Sequence, residues 1–275
     1  NIIVIMLKAH LKFFYINKFV YGNIAKMLNE IYNTKTEKLS NYCIIFEPDA
    51  IKFIDFLKAK GLKVIYYDLE HIKVQHFLDK TYEEIKNKAD EIWTYSLANK
   101  EYLQKLKFNV KFQPIVYTEC LNEIPISNSN FVPPIDLLFY GRISDYRLKN
   151  MVEPIQKIGL TYVQAHGITG EKLNWLMQNS KIIIDSKQRE DYYNQNIIRI
   201  AYSVINNKCV LAESTEDDGY AGDSVIYYSD ENSLIEKINF LLQNNNWLKI
   251  AKSCSNKFKE LSNSGDKWHT SEIIL

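Results

Sequence analysis

The chain has few of the residues that interrupt or cross-link a fold. Its 275 residues include 9 Gly and 6 Pro, which excludes a collagen-like or low-complexity chain. The 4 cysteines are far apart and form no C-x-x-C pair, so zinc-finger spacing and thioredoxin chemistry are absent. Cys43 and Cys209 lie in apolar strand-like runs, where a thiol behaves as a small hydrophobe. We therefore expect a reducing, cytoplasmic setting.

Strong charge and long apolar runs are missing as well. The formal net charge is +1, so the composition predicts no overall polyanion-binding surface and no nucleic-acid partner. No apolar run reaches the roughly 18–20 residues that a membrane span needs. Residues 1–7 are apolar after Asn1 but too few, and they predict a first core strand instead of a signal peptide. The oligomeric state is not indicated by any of these features.

The chain does contain a repeated alternation of short apolar runs and helix-patterned stretches. This alternation runs from residue 2 to residue 117 and restarts at Ile135–Tyr140. Strands that alternate with helices in this way form parallel sheets covered by helices, which predicts an α/β fold. Residues 118–134, rich in Pro, break the rhythm and are the predicted linker.

Two Rossmann-like domains follow from this organisation. We predict an N-terminal domain over residues 1–118 and a C-terminal domain over residues 134–275. Ligands of such folds bind at the carboxyl ends of the strands, so the two domains are expected to face a central cleft that holds the site.

Residues 192–213 are the most informative stretch. They read as a polar loop, a helix start, an Arg one turn inside the helix, and a buried strand. A helix N-terminus presents free N–H groups and partial positive charge, so it holds phosphate well. Arg199 lies close enough to that end to add a bidentate phosphate contact. The stretch predicts a diphosphate site that involves Asn194, Asn196, Arg199, Glu213 and Ser214.

These residues also have purely structural interpretations, which the sequence leaves open. Asn196 is at a favoured N-cap position, and a capped helix end can still bind phosphate. The residues that follow Glu213 form either a hydroxyl-binding loop or a solvated acidic loop. Arg199 alternatively forms a structural ion pair with Glu190, Asp191 or Glu213.

Two other positions follow predicted strands directly. Gly141-Arg142 comes after Ile135–Tyr140, where Gly lets the backbone approach a ligand and Arg reaches a phosphate. The alternative is a tight turn with a surface Arg. Asp68 and Glu70 follow a strand of the first half, where a carboxylate can deprotonate a hydroxyl nucleophile. A polar loop with a capping Asp is the alternative there.

Three stretches resemble one family of enzymes. Tyr67-Asp-Leu-Glu70 resembles a Y-x-x-E loop, and residues 89–99 resemble an A-D-E-I-W-x-Y-S-x-x-N strand and helix start. Ile198-Arg-Ile200 with Val210-Leu-Ala-Glu213 resembles an R-I … V-I-S-E segment. The family comprises bacterial and viral glycosyltransferases of the GT-B fold, close to the group-1 or CgeB-like set. The resemblance covers about residues 42–117 and 135–258 and lies in the order of the motifs.

The resemblance implies a hexosyltransferase-like enzyme that moves a sugar from a nucleotide-diphosphate sugar to a hydroxyl or glycan acceptor, without metal or cofactor. It places the acceptor with the N-terminal domain, where Asp68 and Glu70 are candidate catalytic bases. It also places the donor with the C-terminal domain. The donor-binding residues are then Gly141, Arg142, Asn194, Asn196, Arg199, Glu213 and Ser214.

One departure from the family pattern concerns Asn196. Members often have Glu three residues before the Arg, so the donor identity is left open here.

Arg199→Ala is expected to leave the fold intact, because an Arg in a cleft is not part of a core. The alternatives are a two-domain binding module without chemistry, which would lack donor hydrolysis, and a glycerophosphate-type polymer transferase.

Overall fold

The computed structural model describes residues 3–5, 12–15, 18–33, 41–46, 48–70, 72, 78–125, 131–217 and 221–264. These residues divide into two compact units with the boundary between Cys120 and Leu121. The boundary lies within the stretch 118–134 that breaks the sequence pattern, of which residues 126–130 lie outside the described ones. Each unit has its own helix-covered sheet, which confirms the predicted α/β fold class.

The first unit is built on a six-stranded sheet in which the strands follow one another in chain order. The first two strands pair antiparallel, and all later neighbours pair parallel. Of the predicted first strand, only residues 3–5 are described. The strands are β1 (Ile3–Ile5), β2 (Lys12–Tyr15), β3 (Tyr42–Ile45), β4 (Lys63–Asp68), β5 (Glu91–Thr94) and β6 (Val110–Phe112).

Both faces of this sheet are covered. On one face, Tyr66 and Ile92 of the strands pack in a core cluster with Ile85 and Leu103 from helices. Successive strand residues point to opposite faces, so Trp93 lies on the other side, where its ring centroid is 5.7 Å from that of Tyr32. The helices are α1 (Lys18–Asn33), α2 (Ile54–Ala59), α3 (Leu78–Lys88) and α4 (Leu97–Lys105).

The second unit contains a five-stranded parallel sheet with a reversal in strand order. The strands are β7 (Ile135–Tyr140), β8 (Tyr162–Ala165), β9 (Ser180–Asp185), β10 (Cys209–Glu213) and β11 (Ile226–Tyr228). Their order is β11-β10-β9-β7-β8, so β7 pairs with both β8 and β9. In sheets of this kind ligands bind outside the carboxyl ends of the strands at the reversal, here between β7 and β9.

The helices of the second unit are α5 (Asp145–Arg147), α6 (Glu153–Lys157), α7 (Glu171–Gln178), α8 (Ile197–Ile205), α9 (Glu231–Leu242) and α10 (Asn246–Ser264). A π-helical turn over Leu148–Val152 joins α5 to α6. α8 has the bounds that its apolar periodicity predicts, and most of its side chains are buried. Within the described residues, no helix has the length and apolar character of a bilayer span.

Candidate functional site

The carboxyl ends of β7 and β9 carry a dense group of polar side chains. β7 runs into Gly141-Arg142, and β9 ends at Asp185 and continues into Ser186-Lys187. The first turn of α8 reaches this edge, because Arg199 contacts Asp185. Gly141, Arg142 and Arg199 therefore lie at the strand-order reversal, where α/β folds bind ligands.

Arg199 is nearly enclosed by its own chain. Its side chain is 11% exposed, and Nη1 forms an ion pair with the carboxylate of Asp185, which is 3% exposed. The guanidinium carbon lies 5.0 Å from the ring centroid of Phe139 and 5.4 Å from that of Tyr140. Arg199 reaches the end of β9 rather than the loop beyond it. The structural ion pair that the sequence left open as an alternative is therefore present, but its partner is Asp185 and not Glu190, Asp191 or Glu213.

This ion pair corrects the expectation about stability. Removing Arg199 leaves the Asp185 carboxylate buried without its partner, and breaking a buried pair in this way costs about 3–5 kcal/mol. Since Arg199 keeps some exposure, the lower end of that range applies. Arg199→Ala therefore destabilises the second unit, so tests of its binding role need proof that the variant is folded and, beside it, a variant that keeps the charge.

Gly141 provides the space that Arg199 occupies. A Cβ at Gly141 would lie 2.6 Å from Nη2 of Arg199 and 3.0 Å from Cζ of Phe139, closer than side chains normally pack. The sequence predicted that this glycine lets a ligand approach the backbone, and the group that approaches it here is Arg199. Arg142, the next residue, has an exposed side chain.

Arg147 was not among the predicted site residues, yet it joins the loops that follow β7 and β9. Its Nε and Nη2 donate to the carbonyl oxygen of Ser186 at 2.9 Å and 2.6 Å, and its Nη1 donates to that of Arg142 at 2.8 Å. Burial lowers the pKa of Arg147 to about 10, so it stays protonated at neutral pH. The sequence signal for it was Ser144, which caps the helix start that carries Arg147 in its first turn.

Glu213, a predicted donor-binding residue, is 6% exposed and holds its neighbours together. Its Oε2 accepts the Ser186 hydroxyl at 2.7 Å and the Lys187 N–H at 3.0 Å. Its Oε1 accepts the Tyr146 hydroxyl at 2.5 Å and pairs with Lys187 Nζ at 3.3 Å. Glu213 thus links the loop after β9 to the end of β10 by hydrogen bonds. The adjacent Ser214 is exposed. Binding of a donor by these two residues stays a prediction.

The two asparagines before α8 have different positions. Asn196 is the N-cap, and its Oδ1 accepts the N–H of Arg199 at 3.3 Å. Asn194 is buried, and its backbone forms an isolated parallel β-bridge with that of Asp217. The cap leaves the N–H groups of Ile197 and Ile198 without an acceptor among the described residues. These N–H groups can receive an anion.

In the first unit, Asp68 ends β4 and is fully buried. It accepts hydrogen bonds from the Tyr82 hydroxyl, from Asn99 Nδ2 at 2.9 Å and from the Glu70 N–H at 3.3 Å. Burial raises the pKa of Asp68 to about 7 in spite of these bonds. Glu70 is partly exposed and is the more accessible of the two predicted bases, whose catalytic role stays a prediction.

Comparison with known proteins bears on the fold. No family model matches the chain. No curated protein matches it. Sucrose-phosphate synthase from Thermosynechococcus elongatus matches with a TM-score of 0.55 at 11% identity, over 90% of this chain and 76% of that one.

Two further solved structures are similar to this chain. A UDP-forming α,α-trehalose-phosphate synthase from Burkholderia xenovorans has a TM-score of 0.52 at 12% identity, over 91% of this chain and 75% of that one. An E. coli trehalose-6-phosphate protein bound with UDP-2-fluoro glucose has a TM-score of 0.51 at 11% identity, over 83% of this chain and 71% of that one.

These matches establish the fold. The chain shares the fold of GT-B glycosyltransferases with Rossmann-like domains, as the motifs predicted. The group-1 or CgeB-like assignment within that class stays a prediction. Within the described part of the chain, no group of three or more His, Cys, Asp or Glu side chains is placed to hold a metal ion.

Proposed function

We propose that the protein is a glycosyltransferase that moves a sugar from a nucleotide-diphosphate sugar to a hydroxyl acceptor. The proposal rests on one observation, the cationic group at the strand-order reversal of the second sheet, formed by Arg142, Arg199 and the first turn of α8. The fold supports it, since the similar structures include a UDP-forming synthase and a protein bound with UDP-2-fluoro glucose. The donor belongs to the second unit in this proposal, and the acceptor belongs to the first.

The proposed role of the cationic group is to stabilise the leaving diphosphate. When the bond from the sugar to the phosphate oxygen breaks, negative charge develops on that oxygen. Preorganised donors aimed at such a charge lower the barrier without any rearrangement during the reaction. Asp185 and Phe139 hold the Arg199 guanidinium in place before the donor binds, and in this proposal its nitrogens that do not pair with Asp185 contact the phosphate. The N–H groups of Ile197 and Ile198 supply further donors.

Metal independence is part of this proposal, because the arginines and the helix N-terminus can take the diphosphate charge. The test is incubation of labelled UDP-, GDP-, ADP- and CDP-sugars with the protein, with and without EDTA. We expect slow hydrolysis of one donor, unchanged by EDTA, and a thermal shift with the matching nucleoside diphosphate. No hydrolysis and no shift with any of the four contradicts the transferase assignment. A loss in EDTA that Mn²⁺ restores contradicts metal independence alone.

The role of Arg199 is tested by Arg199→Lys, which keeps a positive charge beside Asp185 and thus the fold. A charge-assisted contact to phosphate is worth roughly 1.5–3 kcal/mol, so Arg199→Ala should weaken binding of the nucleoside diphosphate by about 10- to 150-fold. Arg199→Lys should recover only part of this, because a point charge cannot supply the bidentate geometry. Calorimetry on variants that are folded by circular dichroism measures both.

The matched control for Arg199 is Lys157→Ala, which removes an exposed cation of the same unit paired with Glu231. We expect its nucleotide affinity to equal that of the wild type, because exposed pairs contribute little. Wild-type affinity in folded Arg199→Lys and Arg199→Ala would show that Arg199 serves only its ion pair with Asp185. On the acceptor side, Glu70 and Asp68 are the proposed bases, with Glu70 the accessible one.

A further inference from the structure

One edge of the first sheet carries a group of exposed lysines. The helices α2, α3 and α4 pack on the same face of that sheet, and each ends shortly before the next parallel strand begins. Their carboxyl termini therefore meet at the edge where these strands start, and lysine is favoured there by the helix dipole. We define the lysine edge by five exposed residues at this place, Lys60, Lys63, Lys86, Lys105 and Lys107.

Contacts between neighbouring elements make the lysine edge one continuous surface. Nζ of Lys58, near the end of α2, donates to the carbonyl oxygen of Lys88 at the end of α3 at 2.8 Å. Nζ of Lys86, in the last turn of α3, lies 4.9 Å from the ring centroid of Phe108, which follows α4. Lys63 is the first residue of β4, the strand that follows α2. The ends of the three helices and the start of this strand thus lie side by side.

The carboxylates near the lysine edge do not neutralise it. Four of them are paired with other lysines, namely Asp90 with Lys58 at 3.2 Å, Glu91 with Lys111 at 3.1 Å, and Asp55 and Glu84 with Lys88 at 3.0 Å each. Glu83 and Glu101 lie about one turn before the lysines at the ends of α3 and α4. The side chains of the lysine edge form no hydrogen bond or ion pair with another described residue. Positive charge is therefore in excess at this edge, although the net charge of the whole chain is only +1.

Two large apolar side chains are exposed within the lysine edge. Leu106 lies between Lys105 and Lys107 and is 47% exposed. Phe56 is 58% exposed, and its ring centroid lies 5.6 Å from Nζ of Lys60. Lysines around exposed apolar side chains are typical of proteins that bind to the surface of an anionic bilayer. The charges there meet the lipid headgroups, and the apolar groups enter the interface.

Nucleic acid is the other polyanion that a lysine-rich surface attracts, and the aromatic side chains here argue against it. Single strands bind to exposed ring faces, on which their bases stack. Nζ atoms of Lys60 and Lys63 lie over the rings of Phe56 and Tyr42, at 5.6 Å and 5.4 Å from the centroids. Leu106, the other exposed apolar group, has no ring for a base to stack on. The surface therefore fits lipid headgroups better than bases.

We propose that the lysine edge binds the headgroups of an anionic lipid bilayer, with Leu106 and Phe56 in the bilayer interface. Such a contact is peripheral, and salt weakens it because its charges act through exposed headgroups. Lys63 begins β4 and Asp68 ends it, so the lysine edge lies at the opposite end of the strand from the proposed catalytic bases. The inference does not depend on the proposed transferase activity.

Flotation of the whole protein with lipid vesicles tests the charges. We expect binding to vesicles that contain phosphatidylserine, a loss of this binding in high salt, and no binding to phosphatidylcholine alone. Each lysine at an anionic surface contributes about fivefold to the partition coefficient, so Lys105→Gln with Lys107→Gln should lower it about 25-fold. The matched control is Lys249→Gln with Lys252→Gln, which removes the same charge from exposed positions of α10 and should bind like the wild type.

The apolar contact is tested by a second pair of variants. Leu106→Ser should weaken binding to the same vesicles about fivefold, because the leucine side chain leaves water when it enters the interface. Leu248→Ser changes a leucine of α10 that is 53% exposed, and it should bind like the wild type. If Leu106→Ser also binds like the wild type, or if both lysine pairs weaken binding equally, the lysine edge is not a membrane surface and the proposal is wrong.

Fluorescence anisotropy with single- and double-stranded oligonucleotides separates the two polyanions. We expect no saturable binding at the protein concentrations that saturate the vesicles. Tighter binding to an oligonucleotide than to vesicles, removed by Lys105→Gln with Lys107→Gln, would make this edge a nucleic-acid surface and overturn the proposal. A folded wild-type protein that does not bind phosphatidylserine vesicles overturns it as well. All variants should keep the wild-type circular dichroism spectrum, since every changed side chain is exposed.

Discussion

The ring of Phe139 lies against two cations, with the guanidinium carbons of Arg147 and Arg199 each 5.0 Å from its centroid. Two like charges so close together repel each other, and the neighbouring Arg199 helps to lower the pKa of Arg147. The electron-rich face of the ring and the carboxylate of Asp185 offset that repulsion. One aromatic ring and one carboxylate therefore keep both cations at the strand ends.

At the residue scale, the contact between Gly141 and Arg199 predicts the effect of a single substitution. Gly141→Ala places a methyl group on Nη2 of Arg199, a flexible group that can move, and near Cζ of Phe139. We expect a folded protein in which Arg199 is displaced from Asp185 and the nucleoside diphosphate binds about tenfold more weakly.

A double-mutant cycle with Arg199→Lys checks the Gly141 prediction. The shorter lysine should leave more room for the methyl group, so the two losses should not add. Additive losses would show that Gly141 affects binding through some group other than Arg199. Calorimetry on the four proteins of the cycle supplies the numbers.

The sequence could predict some of these residues and not others, for a physical reason. Capping and helix periodicity are local, so Asn196 and Arg199 were placed correctly at the start of a helix. The pairing of Arg199 with Asp185 depends on which strand lies beside β7, and this is set by residues far apart in the chain. The bonds of Arg147 have the same non-local origin.

At the scale of secondary-structure elements, the Asp68 carboxylate connects the helices and strands around the end of β4. Its hydrogen bonds reach Tyr82 on α3, Thr94 on β5 and Asn99 on α4. Asn99 also donates to the carbonyl oxygen of Glu70 at 2.7 Å, which holds the loop after the strand. The sequence indicated a polar loop with a capping Asp, but burial at the meeting point of four elements is a property of the assembled unit.

Asp68 gives this network a pH dependence. Its pKa is raised from 3.8 to about 7 by burial, so the folded protein binds this proton more tightly than the unfolded chain. The stabilisation from this group is therefore full below pH 3.8 and lost as the pH rises through about 7. Its size is on the order of a few kcal/mol.

The measurement is denaturant unfolding at several pH values between 5 and 8, with exchange of the β4 amides to locate the effect. Wild-type stability should fall over this range, and Asp68→Asn should flatten the fall. Asp55→Asn, which changes an exposed carboxylate of the same unit, should leave the pH dependence as it is. An equal slope in Asp68→Asn and wild type would assign the pH dependence to another group.

For the whole molecule, the alternation of strands and helices was enough to predict the α/β class, because that pattern repeats along the entire chain. The strand order could not be predicted from the sequence, because the apolar runs of β7, β9 and β10 look alike and do not encode which strand lies at the centre. The hydrogen bonds that join residues 121–124 to α8 were equally hidden, because Asn206 and Tyr202 meet that segment only in the assembled unit.

The strand order has a consequence during synthesis on the ribosome. In the first unit each described strand joins the one made just before it, so the sheet can grow as the chain emerges. In the second unit β7 emerges first but lies in the interior of the finished sheet, and its edge toward β9 stays open until that strand is made. Leu137, Leu138 and Phe139 in β7 are completely buried in the finished protein. A nascent chain paused between β7 and β9 therefore presents an apolar, half-paired strand, the kind of open edge that is prone to aggregation.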